Sequence, residues 1–413
     1  MRKLLLALLL ASLVPAFADE PEPPWAALNR VARQAVKDKD YAKLRATLEQ
    51  LRPLTPGNVR VLYNVAAADA VLGHTRKALV ELAELAASGV VFDLSADDDF
   101  TSLRQTPEYA AAVRQMEANR QPVTHSTPVR QLDRPDMLPE DIAYDRKTSS
   151  FLVSSVAGSQ VVRVGGEAFA KAPWSVLAIR IDPARRILWA ASAWLPHCVS
   201  CRAEDKDKTA LVSFNMDTGA MTGEFPSPVP GMFGDMTIAS NGDIFVSEGI
   251  YGAVFRFSHG RYERLDTPGE FPSPQTPALS CDERTLYIPD YARGIAALDL
   301  RTHQVSWLQP GTGIVLNGID GLYVHGDSFI AVQNGTTPAR IVRFSLDLER
   351  QQILEANYPE LGEPTHGTLV GDAFYFLANT GWNQFGQDGK RKPGSAPVVS
   401  SIRKIVLPHR PLL

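Results

Sequence analysis

Gln275-Thr-Pro-Ala-Leu-Ser280, a polar turn, and then Leu286-Tyr-Ile-Pro-Asp290 make a short apolar strand, a reversal and a second apolar strand. The unit recurs. It reads Glu140-Asp-Ile-Ala-Tyr-Asp145 with Phe151-Leu-Val-Ser-Ser155, and Leu177-Ala-Ile-Arg-Ile-Asp182 with Leu188-Trp-Ala-Ala-Ser192. It returns as Gly234-Asp-Met-Thr-Ile-Ala239 with Ile244-Phe-Val-Ser-Glu248, and as Asp320-Gly-Leu-Tyr-Val324 with Phe329-Ile-Ala-Val-Gln333. The sixth copy is His366-Gly-Thr-Leu-Val370 with Phe374-Tyr-Phe-Leu-Ala378. Third strands such as Ala253-Val-Phe-Arg-Phe257 and Arg340-Ile-Val-Arg-Phe344 follow. The units start 37, 57, 41, 45 and 46 residues apart, and a period in the forties with about four strands per unit marks a propeller blade. Six blades are predicted over 132–408. The 57-residue interval carries an insertion around 198–208.

Ahead of the repeats the period is helical. Trp25, Leu28, Val31 and Ala32 share one face, and Tyr41, Leu44, Leu48 and Leu51 another. Segments at 59–72 and 77–87 flank Gly73-His74, with Leu62, Ala66, Gly73, Ala78 and Leu82 spaced as in a tetratricopeptide-like hairpin. A last helix is expected over 102–118. Asp97-Asp98-Asp99 before it reads as a helix cap more readily than as a metal site. Residues 121–131, polar and broken by Pro122 and Pro128, are expected to be a linker between a helical domain at 19–120 and the propeller. The fold class is therefore α plus β: an all-β six-bladed propeller behind a small α-helical domain.

Residues 1–18 carry Arg2 and Lys3, an apolar run and Ala16-Phe17-Ala18, the pattern of a secretory leader cleaved after Ala18. A secreted or periplasmic protein is expected. Without those 18 residues the chain holds 40 basic and 46 acidic side chains and carries −6, so no basic excess invites nucleic acid. No later stretch is long and apolar enough for a transmembrane helix.

The blade starts Pro139-Glu140-Asp141 and Asp320-Gly321, with Ser280-x-Asp282-x-x-x-Leu286-Tyr287, resemble the SMP-30/gluconolactonase-like propellers. Gln333-Asn-Gly-Thr-Thr-Pro-Ala-Arg340 and Gly381-Trp-Asn-Gln-Phe385 resemble a bacterial branch with helical, tetratricopeptide-like N-termini. In a propeller the leading residue of each first strand projects into one channel mouth; here these are Glu140, Leu177, Gly234, Gln275, Asp320 and His366. Polar side chains there are read either as a divalent-metal set or as the lining of a wet channel. The resemblance implies Ca²⁺ or another divalent cation, held by a Glu on the first blade, Asn on the third and fourth, and Asp on the fifth. Glu140 and Asp320 match, and Gln275 stands in for one Asn. Gly234 offers no ligand, which leaves Asp235 as the candidate there. His366 is an addition that favours Zn²⁺ or Mn²⁺ if it ligates. The resemblance further implies hydrolysis of a lactone or ester, with Asp320 or His366 activating water.

His197-Cys198-Val-Ser-Cys201 lacks the trailing His of a haem attachment site and a second ligand pair for zinc. A disulfide and two reduced thiols both remain open readings. Two functions stand side by side: a metal-dependent hydrolase of a small-molecule lactone or ester, and a non-catalytic binding protein whose helical hairpins and propeller face engage a protein or peptide.

Overall fold

A computed structural model describes residues 22–408 and 412; the expected leader and its cleavage point lie outside the described residues. The β region forms six antiparallel sheets in chain order, at 139–171, 175–226, 233–264, 278–307, 321–356 and 367–406. Their first strands touch one another around an axis, those at Pro139–Asp145, Ser175–Asp182 and Phe233–Ile238 on one side and those at Gly321–His325 and Gly367–Val370 on the other. The inner strands of each blade bury one row against the blade before and the other against the blade after. Six cores result, one per pair of neighbours: Leu152 and Val161 meet Ile179 and Val212 between the first two blades. Ile142 and Val153 meet Leu377 and Ile402 between the first and the last, which closes the ring.

The linker expected at 121–131 is instead the closure of that ring. Ser126–Gln131 pairs with Ser401–Val406 as the outer strand of the sixth blade, and Val123–Thr124 adds a fifth strand beside Gln351–Ala356 on the fifth. The propeller therefore starts before residue 132. An outer strand shows both faces to water, so its sequence carries no apolar alternation for the eye to find. Glu355, fully buried, gathers the seam: it accepts from His125 N (2.7 Å), Ser126 Oγ (2.8 Å) and the Tyr358 hydroxyl.

Among the described residues five α-helices precede it: α1 (Pro24–Asp38), α2 (Tyr41–Leu51), α3 (Val59–Val71), α4 (Thr75–Ala87) and α5 (Pro107–Ala118). The last was expected to start at 102. Instead a 3₁₀ turn, Asp98–Leu103, is capped by Asp97, and α5 begins at Pro107 under a Thr106 cap, where proline's missing N–H costs nothing. Asp97 and Asp99 also accept hydroxyls from Tyr63 and Tyr41, so two of the three acidic residues are spent on structure.

The helices are docked rather than tethered. Trp25 Nε1 donates to Gly269 O (3.0 Å), Asn58 Nδ2 to Ala292 O (2.7 Å) and Leu316 N to Gly57 O (3.0 Å). Asn317 Oδ1 accepts from Val59 N at 3.0 Å, so a propeller loop caps α3. These loops join outer to inner strands, or second to third strands, and so lie at the end where the first strands begin. The helical domain thus stands over the channel mouth on the side of the fourth and fifth blades.

Within the helices, Glu81 is pushed up to about 7 by burial and then by Asp69, with Arg45 and Arg52 opposing. A carboxyl raised on folding favours the protonated form, so its contribution is complete at low pH and is lost as pH climbs from about 4.5 through about 7. Glu81→Gln should therefore raise the melting temperature at pH 8, by the equivalent of about 1 kcal/mol after discounting for water access, and change nothing near pH 4. An equal effect at both pH values would show that Glu81 does not titrate in this way.

Candidate functional site

At the mouth, the starts of four first strands bring Glu140, Asp235, Asp320 and His366 together. Ligand atoms of Glu140, Asp320 and His366 lie within 4.8 Å of one another. His366 Nε2 is 2.7 Å from Asp235 Oδ1, and Nδ1 is 3.7 Å from Glu140 Oε1. Two other strand starts behave differently. Leu177 is apolar and buried. Gln275 spends its amide nitrogen on Ser273, at 3.1 Å to the carbonyl and 3.0 Å to the hydroxyl, and the next residue, Thr276, reaches the cluster instead.

Each carboxylate is steadied by a neutral donor. Thr276 Oγ1 donates to Asp235 Oδ1 (2.6 Å), Asn334 Nδ2 to Asp320 Oδ2 (2.6 Å) and the Trp382 indole to Glu140 Oε2. Behind Asn334, the Tyr291 hydroxyl donates to its Oδ1 at 2.9 Å. Such outer partners fix carboxylate orientation without neutralising charge. Position alone did not reveal these three donors. Asn334 and Trp382 do fall in the two segments that carried the family resemblance, whereas Thr276 had no signal beyond adjacency to Gln275.

Electrostatics make the cluster hungry for positive charge. Burial pushes Glu140 well above the usual carboxylate range; His366 pulls it back, and Asp320 and Asp235 push it further. Asp320 is raised to about 6, by burial first, against His366 and with Asp235. Burial works against the His366 cation, yet Asp320 and Asp235 outweigh it and hold the imidazole well above its ordinary value. His366 Nδ1 sits 3.0 Å from Glu140 O, which can only accept, so Nδ1 carries the proton and Nε2 faces the carboxylates. Nε2 is buried and makes no well-aligned hydrogen bond despite its closeness to Asp235. Three buried carboxylates converging on one imidazole are a donor set that fits a divalent cation, which would take the place of the imidazolium's positive charge. The nearby Arg180 does not meet that need, because its guanidinium is committed to Asp141.

Two insertions cover the mouth on the side away from the helices. Residues 194–208 in the second blade hold a Cys198–Cys201 disulfide, with Cα atoms 5.4 Å apart. Residues 379–400 in the sixth carry Trp382 and Phe385, whose rings meet His197 edge to face at 5.0 and 5.6 Å.

Several solved structures are similar to this chain at low sequence identity. One is a regucalcin, a calcium-binding protein from Agrobacterium tumefaciens, at 14% identity over 70% of this chain and 97% of that one, with a TM-score of 0.48. Another is a gluconolactonase from Xanthomonas campestris, at 14% identity over 68% and 98%, with a TM-score of 0.46. A PQQ-bound aldose sugar dehydrogenase from Streptomyces coelicolor aligns at 12% identity over 68% and 97%, with a TM-score of 0.47. No protein-family model and no curated protein matches the sequence. No helix among the described residues is long and apolar enough to cross a membrane.

Proposed function

We propose that this chain is a secreted, divalent-metal-dependent hydrolase of lactones or small esters, working at the mouth of its propeller. The observation that carries the reading is the convergence of three carboxylates, Glu140, Asp235 and Asp320, on His366 in one buried spot. Glu140, Asp235 and Asp320 would hold the cation; hard oxygen donors favour Ca²⁺, and His366 shifts the preference toward Mn²⁺ or Zn²⁺ if it joins them. When bound, the cation supplies a Lewis acid for a substrate carbonyl. The protein's own groups do the rest. Asn334 and Trp382 hold Asp320 and Glu140 in place, and Asp320, or His366 Nε2 if a bound cation has displaced its proton, would take the proton of the attacking water. The Cys198–Cys201 disulfide supports export, since an oxidising compartment keeps such a bond closed.

The test is thermal. Glu140, Asp235, Asp320 and His366 come from four blades and meet only in the closed ring, so a cation among them binds the folded chain alone. At a hundredfold excess over Kd it should add about 2.7 kcal/mol of stability. Chelator should remove this gain. Asp320→Asn and Glu140→Gln should shrink it, and Asp97→Asn in the helical domain should not. Equal melting temperatures with chelator and with excess Ca²⁺, Mg²⁺, Mn²⁺ or Zn²⁺ would remove the basis for the reading.

A further inference from the structure

The two insertions over the mouth touch each other. Besides the edge-to-face contacts of His197 with Trp382 and Phe385, Gly389 meets the second-blade insertion backbone to backbone. A Cβ built on Gly389 would fall 2.2 Å from Pro196 O and 2.8 Å from His197 N, at φ +74°, so both space and dihedral require glycine. Trp382 carries this junction to the donor set, because its indole N–H donates to Glu140 Oε2. Direct contacts therefore run from the residue preceding Cys198, through an imidazole and an indole, to one of the three carboxylates.

On the second-blade side the backbone is thinly held. Residues 196–201 form no helix or strand. Cys198 N donates to Leu195 O at 3.1 Å and Val199 N to Ala157 O at 3.0 Å, and the Cys198–Cys201 disulfide closes the segment. A ring of four residues removes little entropy from the unfolded chain, so this bond acts chiefly on the shape of its own loop. Its two sulfurs are unequal. Cys201 is part-exposed beside Val199, which is 87% exposed, whereas Cys198 is buried. An incoming thiolate reaches Cys201, and Cys198 is the leaving sulfur. The fully buried Ser159 has its Oγ 3.1 Å from Cys198 Sγ, placed to donate to the thiolate as it forms. A stabilised leaving thiolate speeds exchange.

We propose that Cys198 and Cys201 are an exchangeable pair whose oxidation state sets the mouth: the disulfide holds His197 against Trp382 and completes the donor set at Glu140, and the dithiol lets the two insertions part. The co-reactant is a small dithiol. Its thiolate attacks Cys201 Sγ, the Cys198–Cys201 bond breaks, and Cys198 leaves as the thiolate and takes up a proton. The reductant's second thiolate then attacks the reductant's own sulfur in the mixed disulfide and releases Cys201. The reductant ends as a disulfide, and the protein has gained two electrons and two protons. The effect on a cation rests on the hydrolase reading, whereas the parting of the insertions is read without any metal. The coupling is reciprocal: the factor that reduction takes from cation affinity, a bound cation takes from the ease of reduction.

The experiment uses the full mature chain with Cys281→Ser, so that the pair is the only source of thiol. One sample stays oxidised; the other is reduced by dithiothreitol without denaturant and separated from it by gel filtration in the absence of oxygen. Calorimetric titration with Ca²⁺ and with Mn²⁺ should show affinity about tenfold lower in the dithiol form, the scale of losing an outer partner of a ligand. In chelator, trypsin should cut after Lys390 and Arg391 severalfold faster in the dithiol form. The overall melting temperature in chelator should move little, and reoxidation should restore both readouts. His197→Ala should bring the oxidised form to the reduced affinity and leave reduction without further effect on it. A disulfide that resists native dithiothreitol, equal trypsin cleavage in both forms, or a global loss of stability on reduction overturns the proposal. Faster cleavage with unchanged cation affinity also overturns it and leaves the hydrolase reading standing. Faster cleavage with no cation bound in either form supports the exchangeable clasp and removes the hydrolase reading.

Discussion

A chain that begins at Leu132 is expected to be recovered as aggregate, whereas one that begins at Gln121 keeps a folded propeller. The cut at 132 removes Ser126–Gln131 from the edge of the sixth blade and Val123–Thr124 from the fifth. Ser401–Val406 then becomes a bare edge with unpaired backbone groups, the template on which chains add to one another. The buried Glu355 carboxylate also loses His125 N and the Ser126 hydroxyl, and an under-bonded buried charge is costly. Glu355→Ala in the full chain is the single-residue counterpart. It leaves His125 N, Ser126 Oγ and Tyr358 without their acceptor and should cost about 3 kcal/mol. Size-exclusion chromatography and thermal melts read both results. Equal recovery and equal melting of the chains starting at 121 and 132 would mean that the closure strands add little.

Arg340→Ala should be the most damaging substitution at the contact between helices and propeller. Arg340 is fully buried with no carboxylate beside it, and burial alone lowers it to about 10. Its Nε donates to Gln333 Oε1 at 2.7 Å, and its Nη1 to Ser88 O at 2.8 Å, at the C-terminus of α4 where the helix dipole favours a cation. Alanine removes both donors and opens a cavity, which together cost about 4 kcal/mol. Arg340→Met keeps most of the volume and discards the buried charge, so its loss should be about half as large. If the two variants melt alike, the hydrogen bonds to the helix end matter and the filled volume does not. If neither melts below the wild type, the contact contributes nothing to stability.

The repeat was legible because strands buried on both faces read as mostly apolar runs, and the turns between them are polar at a recurring period. Phe151–Ser155 and Phe374–Ala378 could be recognised for that reason. The seam was not legible, because Ser126–Gln131 is an edge strand whose role is backbone pairing, and backbone pairing leaves no mark on composition. In the site, Glu140, Asp320 and His366 were found by their place at the strand starts, and the structure brings them together. Gln275 held the same place, yet its amide nitrogen is bound to Ser273. A position names which residue stands at the mouth; the local loop decides where its side chain is held. Thr276, Asn334 and Trp382 are attached to the site only by contacts between different blades.

The sequence by itself determined the number of blades, the helical nature of the segment between the expected leader and the repeats, and the acidic character of the mouth, because periodicity and residue type are local properties of the chain. Tertiary structure alone decided that the helices sit over that mouth and that residues 121–131 close the ring. Each of those depends on pairs far apart in sequence, such as Asn317 with Val59 or Ser126 with Ile405, and a one-dimensional pattern holds no term for such a pair until the ring has closed.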